Sequence, residues 1–161
     1  MIAVIGCGNT NRSDDGVGPA VIHALSKRAI GNEPRVRLLD AGTDGMAVMF
    51  AAHGCRTLMI IDACRSGAEP GAVFEVPGIE LERQREQSLT LHDFRWNHAL
   101  YAGRRLLGAA FPLAVTVLLI EAQTLEFGLA LSPPVADAAE RVATRIEAFV
   151  QMRLQELESV S

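Results

Sequence analysis

The sequence predicts an α/β fold, a three-layer α/β/α sandwich around a mostly parallel, twisted, five-stranded sheet. Three observations carry that expectation. Short apolar runs such as Ile2–Ile5 and Thr57–Ile61 stop abruptly at glycine or acidic residues, as buried strands do. Helical patterns alternate with those runs, which favours parallel strands joined by crossovers. The chain has 161 residues, 49% of them hydrophobic and 21% charged, enough for one domain with its own core and no need of a disulfide or structural metal.

Ile2–Ile5, bounded by Gly6, reads as the first strand. A helix over Gly16–Arg28 follows. Pro19 limits its start, because proline is tolerated only in the first turn, where N–H groups have no intrahelical partner. Asp14 or Asp15 is then the expected N-cap. Val36–Leu39 is a second strand ending at Asp40, and Ala41–Gly45 a turn into a short helix over Met46–Ala52. Thr57–Ile61 is the third strand, ending at Asp62. A polar turn over Arg65–Gly71 leads to Ala72–Val76, a short strand suited to an edge. Pro77–Leu91 reads as a fifteen-residue loop, long enough to suggest a role.

His92–Leu107 is read as a helix with Trp96, Ala99, Leu100, Gly103, Leu106 and Leu107 on one buried face. Ala114–Ile120 is a last strand, ending at Glu121. Ser132 then caps a long helix that has Pro133 at its first position and runs to about Leu157.

Parallel strands would bring Asp15, Asp40, Asp62 and Glu121 to one edge of the sheet, the edge where open α/β sheets bind ligands. Each alone fits an N-cap or turn role. Together they would repel unless a cation or a proton relieved them. Of the four histidines, His23 and His53 fall within or at the end of helices and suit structural roles. His92 lies four residues before Trp96 and would project on its side of the helix. His98 lies about 200° around from Trp96. His92 is therefore preferred as the site residue, with His98 as the alternative. Two carboxylates and an imidazole suit Ni²⁺, Zn²⁺ or Fe²⁺.

Other chemistries are poorly served. Gly6-Cys7-Gly8 begins like a dinucleotide loop, but Asn11 stands at the third glycine position. There is no phosphate-loop signature, no His-Glu-x-x-His and no Gly-x-Ser-x-Gly. A Cys–His nucleophile pair would have to use Cys7 or Cys64, and no histidine lies near either in sequence. A net charge of −4 argues against nucleic acid as partner. Three cysteines without a C-x-x-C pair, a start that leads straight into a strand, and no long apolar run together suggest a cytoplasmic protein with no membrane contact.

Several segments, in this order and spacing, make the chain similar to the [NiFe]-hydrogenase maturation proteases. They are Gly6-Cys-Gly-Asn9 with Asp14-Asp-Gly-Val-Gly18, Asp40-Ala-Gly-Thr-Asp-Gly45 and Ile61-Asp62-Ala63 with Glu69-Pro-Gly71. The Ser88–His92 region, Ile120-Glu121-Ala122 and Leu131-Ser-Pro-Pro-Val135 continue the series. The resemblance spans nearly the whole chain and implies a single domain, 1–161, of phosphorylase/hydrolase-like architecture. It implies an endopeptidase, of aspartic or metal-dependent type, that trims the C-terminal extension of a hydrogenase large-subunit precursor. It also implies that Asp15, Asp62 and His92 read nickel presented by that substrate, a place zinc or cadmium would take in a crystal. Asp40 precedes another signature near the cleft. Asp15, Asp40 and Asp62 are the catalytic candidates. The alternative is a non-catalytic module that holds a metal or a metalloprotein in the same cleft. A small-molecule hydrolase or nucleotide binder fits less well, because an acidic edge repels phosphate.

Overall fold

The computed structural model describes residues 1–82 and 95–159. Its strands are β1 (Ile2–Cys7), β2 (Val36–Gly42), β3 (Thr57–Cys64), β4 (Val73–Pro77) and β5 (Ala114–Glu121). Its helices are α1 (Val17–Ser26), α2 (Gly45–Ala52), α3 (Gly78–Glu82), α4 (Trp96–Leu107) and α5 (Pro133–Ser159). The strands lie in the order β2-β1-β3-β5-β4. The first four are mutually parallel, and β4 runs antiparallel along β5 at an edge. The expected three-layer α/β sandwich with five strands is therefore what forms.

Alternation along the central strands supplies both faces of the sheet. Ile2 and Val4 of β1, Met59 and Ile61 of β3, and Leu118 and Ile120 of β5 pack with α1 and α5. Ala3, Ile5, Leu58, Ile60, Val115 and Val117 pack with residues of α2 and α4. Because β1 leads to β2 on one side and β3 leads on to β4 and β5 on the other, the connections diverge between β1 and β3. That divergence opens a crevice beyond the C-terminal ends of those two strands.

Several elements differ from the sequence expectation. Neither Asp14 nor Asp15 caps α1. Both lie in a 3-10 turn, Ser13–Gly16, and Gly16 is the N-cap. Pro19 still falls in the first turn, as its missing N–H requires. The stretch after Pro77 is not a loop throughout, since Gly78–Glu82 forms one helical turn. Helix α4 does not run from His92, because Arg95 is extended (φ −92°, ψ 174°) and serves as its N-cap. The reading that put His92 and Trp96 on one helical face therefore fails, and His92 lies outside the described residues. Leu106, placed on the buried face of α4, is 73% exposed. It sits about 80° from Trp96 around the helix, at the margin of the stripe.

Candidate functional site

The crevice between β1 and β3 is built by a close approach of backbones. Gly8 follows β1 with φ +128°, and a Cβ there would stand 1.7 Å from the carbonyl oxygen of Asp15. A Cβ on Gly18 would meet the carbonyl oxygens of Cys7 and Ile61 at 2.2 and 2.5 Å. The glycines of the opening motif thus have a steric role within the chain itself. They let the turn that carries Asp15 settle onto the ends of β1 and β3.

Asp15 and Asp62 meet there. The Asn9 N–H donates to Asp15 Oδ2 at 3.0 Å, fixing that carboxylate beside the glycine turn. Asp62, near the end of β3, accepts from the Ala63 N–H on Oδ1 (2.8 Å) and from the Trp96 indole Nε1–H on Oδ2 (2.6 Å). Both aspartates line a cavity of about 50 Å³ with Cys7, Gly8, Asp44, Val48, Arg95 and Trp96, closed on one side by Gly42–Gly45. Burial pushes the pKa of Asp62 up to about 6. The Trp96 and Ala63 donors pull it back, the Asp15 charge raises it further, and Arg95 lowers it.

Cys7 forms part of the cavity wall and is 4% exposed. Burial, then the charges of Asp62 and Asp40, push its thiol far above the usual range, so it stays protonated and is a poor nucleophile. Cys64 is likewise raised to about 12, by burial and by its contact with Glu121.

The four strand-end carboxylates do not share the site. Asp40 is exposed on β2 and accepts from the Gly42 N–H at 2.9 Å. It lines a separate groove with His23, Pro19, Leu129 and Leu131. Glu121 is 2% exposed and turned into the 65–71 loop. It accepts from the N–H groups of Ser66 and Gly67 and from the Ser66 hydroxyl, at 2.7–3.0 Å. The Cys64 thiol lies at 3.3 Å. These donors, the Ser66 N–H and hydroxyl foremost, hold its pKa down at about 2. It clasps a loop and is closed to ligands.

Asp14, a possible cap by sequence, is completely buried. Its carboxylate accepts from the N–H groups of Gln123, Thr124 and Ser132 and from the Ser132 hydroxyl, at 2.7–3.0 Å. Burial pushes its pKa up, but those donors together outweigh it and hold the group below its usual range. Asp14 therefore ties the turn that carries Asp15 to the segment entering α5. Its partners lie more than a hundred residues away, so local sequence gives no sign of them. Trp96 was also missed as a site residue, since its place on a buried helix face accounts for the ring and not for the indole N–H.

His98 is half-buried on α4. Its Nδ1 accepts from the Arg95 N–H at 3.2 Å, which closes the first turn of the helix. It is not among the residues that line the cavity. Among the described residues, no group of three His, Cys, Asp or Glu side chains is arranged to hold a metal ion. Nor, among them, is any helix long and apolar enough to cross a membrane.

Three kinds of likeness accompany this geometry. The profile of the HycI hydrogenase maturation protease family matches residues 19–149, well over half of the chain. The hydrogenase-maturating endopeptidase HybD from E. coli superposes with a TM-score of 0.79 at 25% identity, covering 95% of this chain and 93% of that one. The [NiFe] hydrogenase maturation protease HycI from Thermococcus kodakarensis KOD1 has the same fold, with a TM-score of 0.76 at 19% identity over 94% and 92% of the two chains. In sequence, the hydrogenase expression/formation protein HupD from Thiocapsa roseopersicina is 28% identical over 156 residues, 96% of this chain and 68% of its own. The chain spans about half to two thirds of the length of the curated relatives it first matches.

Proposed function

The chain belongs to the hydrogenase maturation protease family, peptidases of hydrogenase assembly, and from that premise we propose that it removes the C-terminal extension of a [NiFe]-hydrogenase large-subunit precursor once nickel is in place. The observation that carries the reading is the convergence of Asp15 and Asp62 on one small cavity at the point where the strand connections diverge. Asp62 is the informative member. A carboxylate whose ionised form is disfavoured by burial gains most when a cation arrives, because the cation offsets the cost of the charge.

In this reading nickel is cargo. It reaches the cleft with ligands from the precursor, so the protease needs to offer only the few donors that complete its coordination. Asp15 and Asp62 supply them, together with His92 from the segment between α3 and α4. A divalent ion held against a peptide bond polarises its carbonyl and lowers the pKa of a bound water. The chain's own part is to position the carboxylates and admit the peptide. A precursor without nickel leaves the partly buried carboxylates uncompensated, and this discriminates loaded from empty substrate.

The test is a mass measurement of the large subunit after incubation with the protein. Nickel-loaded precursor should shorten at its C-terminus and nickel-free precursor should not. Equal cleavage of both would remove the checkpoint. Tight binding without shortening would make the protein a holding module. Asp62→Asn should stay folded and lose processing of the loaded precursor by at least about a hundredfold, the scale of removing a directly ligating group rather than its support. Normal processing by this variant would sink the ligand assignment.

A further inference from the structure

Trp96 stands at the first position of α4, directly after the extended Arg95. Its ring packs against the apolar layer beneath α2 and α4. Any large apolar side chain would serve that packing. The indole N–H does something a leucine or phenylalanine could not. It donates to Asp62 Oδ2 at 2.6 Å, while the Ala63 N–H holds Oδ1 at 2.8 Å. One donor comes from the strand that carries Asp62 and the other from a helix across the cavity.

Rotation of an aspartate carboxylate about its last torsion is otherwise broad. Two donors on two different oxygens fix it. Each oxygen accepts one bond and retains a second lone pair. Oδ1 also lies 3.5 Å from where a Gly8 Cβ would be, on the side from which the Asp15 turn approaches.

We propose that Trp96 is a positioning residue for Asp62: its indole N–H sets the carboxylate's rotation so that the remaining lone pairs face the cavity shared with Asp15. The proposal rests on the nickel-reading role argued above, and it adds the residue that makes Asp62 ready for it. Hydrogen-bonded partners behind a metal-binding group typically contribute about ten- to a hundredfold to affinity.

The chain contains a single tryptophan, so it gives a single indole N–H resonance. In the full-length, ¹⁵N-labelled protein, Asp62→Ala should move that resonance upfield and speed its exchange with water. Asp40→Asn should leave it in place. Trp96 is then replaced by phenylalanine and, separately, by β-(3-benzothienyl)alanine, which keeps the shape of tryptophan with sulfur in place of the N–H. Both proteins should fold and melt alike, a few degrees below the parent for the one hydrogen bond to a carboxylate that each lacks. Both should raise KM for nickel-loaded precursor about tenfold to a hundredfold, with kcat changed less than about twofold, the signature of lost uniform binding. An indole resonance that ignores Asp62→Ala overturns the proposal, as does a benzothienyl protein with the parent's KM. A loss of melting temperature and kcat in the phenylalanine protein, with the benzothienyl protein like the parent, would assign Trp96 to packing and overturn it equally. Normal processing by Asp62→Asn would instead overturn the nickel-reading role itself.

Discussion

Asp14 and Asp15 are neighbours in one 3-10 turn, and Asp62 and Glu121 stand near the ends of strands that pair directly. Yet Asp14 and Glu121 form one class and Asp15 and Asp62 another. Asp14 accepts four hydrogen bonds and Glu121 is ringed by the Ser66–Gly67 turn and Cys64. Both are sealed from solvent, and both are held below their ordinary pKa. Asp15 and Asp62 accept one and two bonds, keep open lone pairs, and border a cavity. What separates a structural from a candidate functional carboxylate here is the number of fixed donors around it. Burial runs the same way, since Asp14 and Glu121 are sealed while Asp15 and Asp62 are only partly buried.

The sharpest way to break this division is to remove Asp14. Asp14→Ala strands three buried N–H groups and a hydroxyl. Hydrogen bonds to a charged acceptor contribute about 1.5–3 kcal/mol each, partly offset by no longer burying the charge, so a net loss of about 4 kcal/mol is expected. For a domain of this size the midpoint should fall by about 10 °C. A variant melting within a degree or two of the parent would show that the clasp contributes nothing. The same class predicts the acid limb. Glu121 has a folded pKa of about 2 against an ordinary 4.5, so its stabilisation is complete above pH 4.5 and is lost as pH falls toward 2. Asp14 acts with the same sign, below its ordinary 3.8.

Asp62 should behave in the opposite sense. Its folded pKa, about 6, lies above the ordinary 3.8, so the folded state holds the proton more tightly than the unfolded chain. Its contribution is intact below about pH 4 and lost as pH rises through 6. Asp62→Asn removes the titrating group but offers a single acceptor oxygen to the Trp96 and Ala63 donors, which costs the same at every pH. Its stability relative to the parent should therefore rise by about 2–3 kcal/mol from pH 4 to pH 8. Urea midpoints at pH 8 and pH 4 measure the change. A variant that instead loses ground to the parent between pH 4 and pH 8 would place Asp62 with Asp14 among the clasps. Stability regained at high pH together with processing lost is the pattern expected where an active site keeps a destabilising group.

Much of this was legible in the residues. Apolar runs stopped by glycine or acidic residues located four strands, the polar turn over Arg65–Gly71 located the edge strand, and Pro19 and Pro133 located the two helices packed on one face. Parallel strands ending at a common edge grouped Asp15, Asp40, Asp62 and Glu121, and the family resemblance singled out Asp15 and Asp62 among them. The division of the carboxylates did not follow, because it depends on donors brought from Gln123, Thr124, Ser132 and Ser66 by the fold. Local propensity is silent on such long-range bonds. The helix over His92–Leu107 failed for a related reason. Its apolar period continues through Trp96, but Arg95 takes an extended conformation that no strong breaker such as proline or glycine announces.

The smallest expected effect falls on Asp40, which the sequence groups with the cleft and the structure sets apart. Its side chain is exposed and accepts one bond, from the Gly42 N–H, so Asp40→Asn retains the acceptor. Its stability should stay within about 0.5 kcal/mol of the parent at any pH from 4 to 8. If Asp40 belonged to the cavity, removing its charge would relieve Asp62, and the pH dependence attributed to Asp62 would weaken in the variant. The expected result is that the fall in stability through pH 6 is unchanged in Asp40→Asn and absent in Asp62→Asn. A flattened profile in both would join Asp40 to the pair. Because the groove beside Asp40 is also lined by His23, Leu129 and Leu131, a processing defect with unaltered stability would point to contact with the precursor chain rather than with its metal.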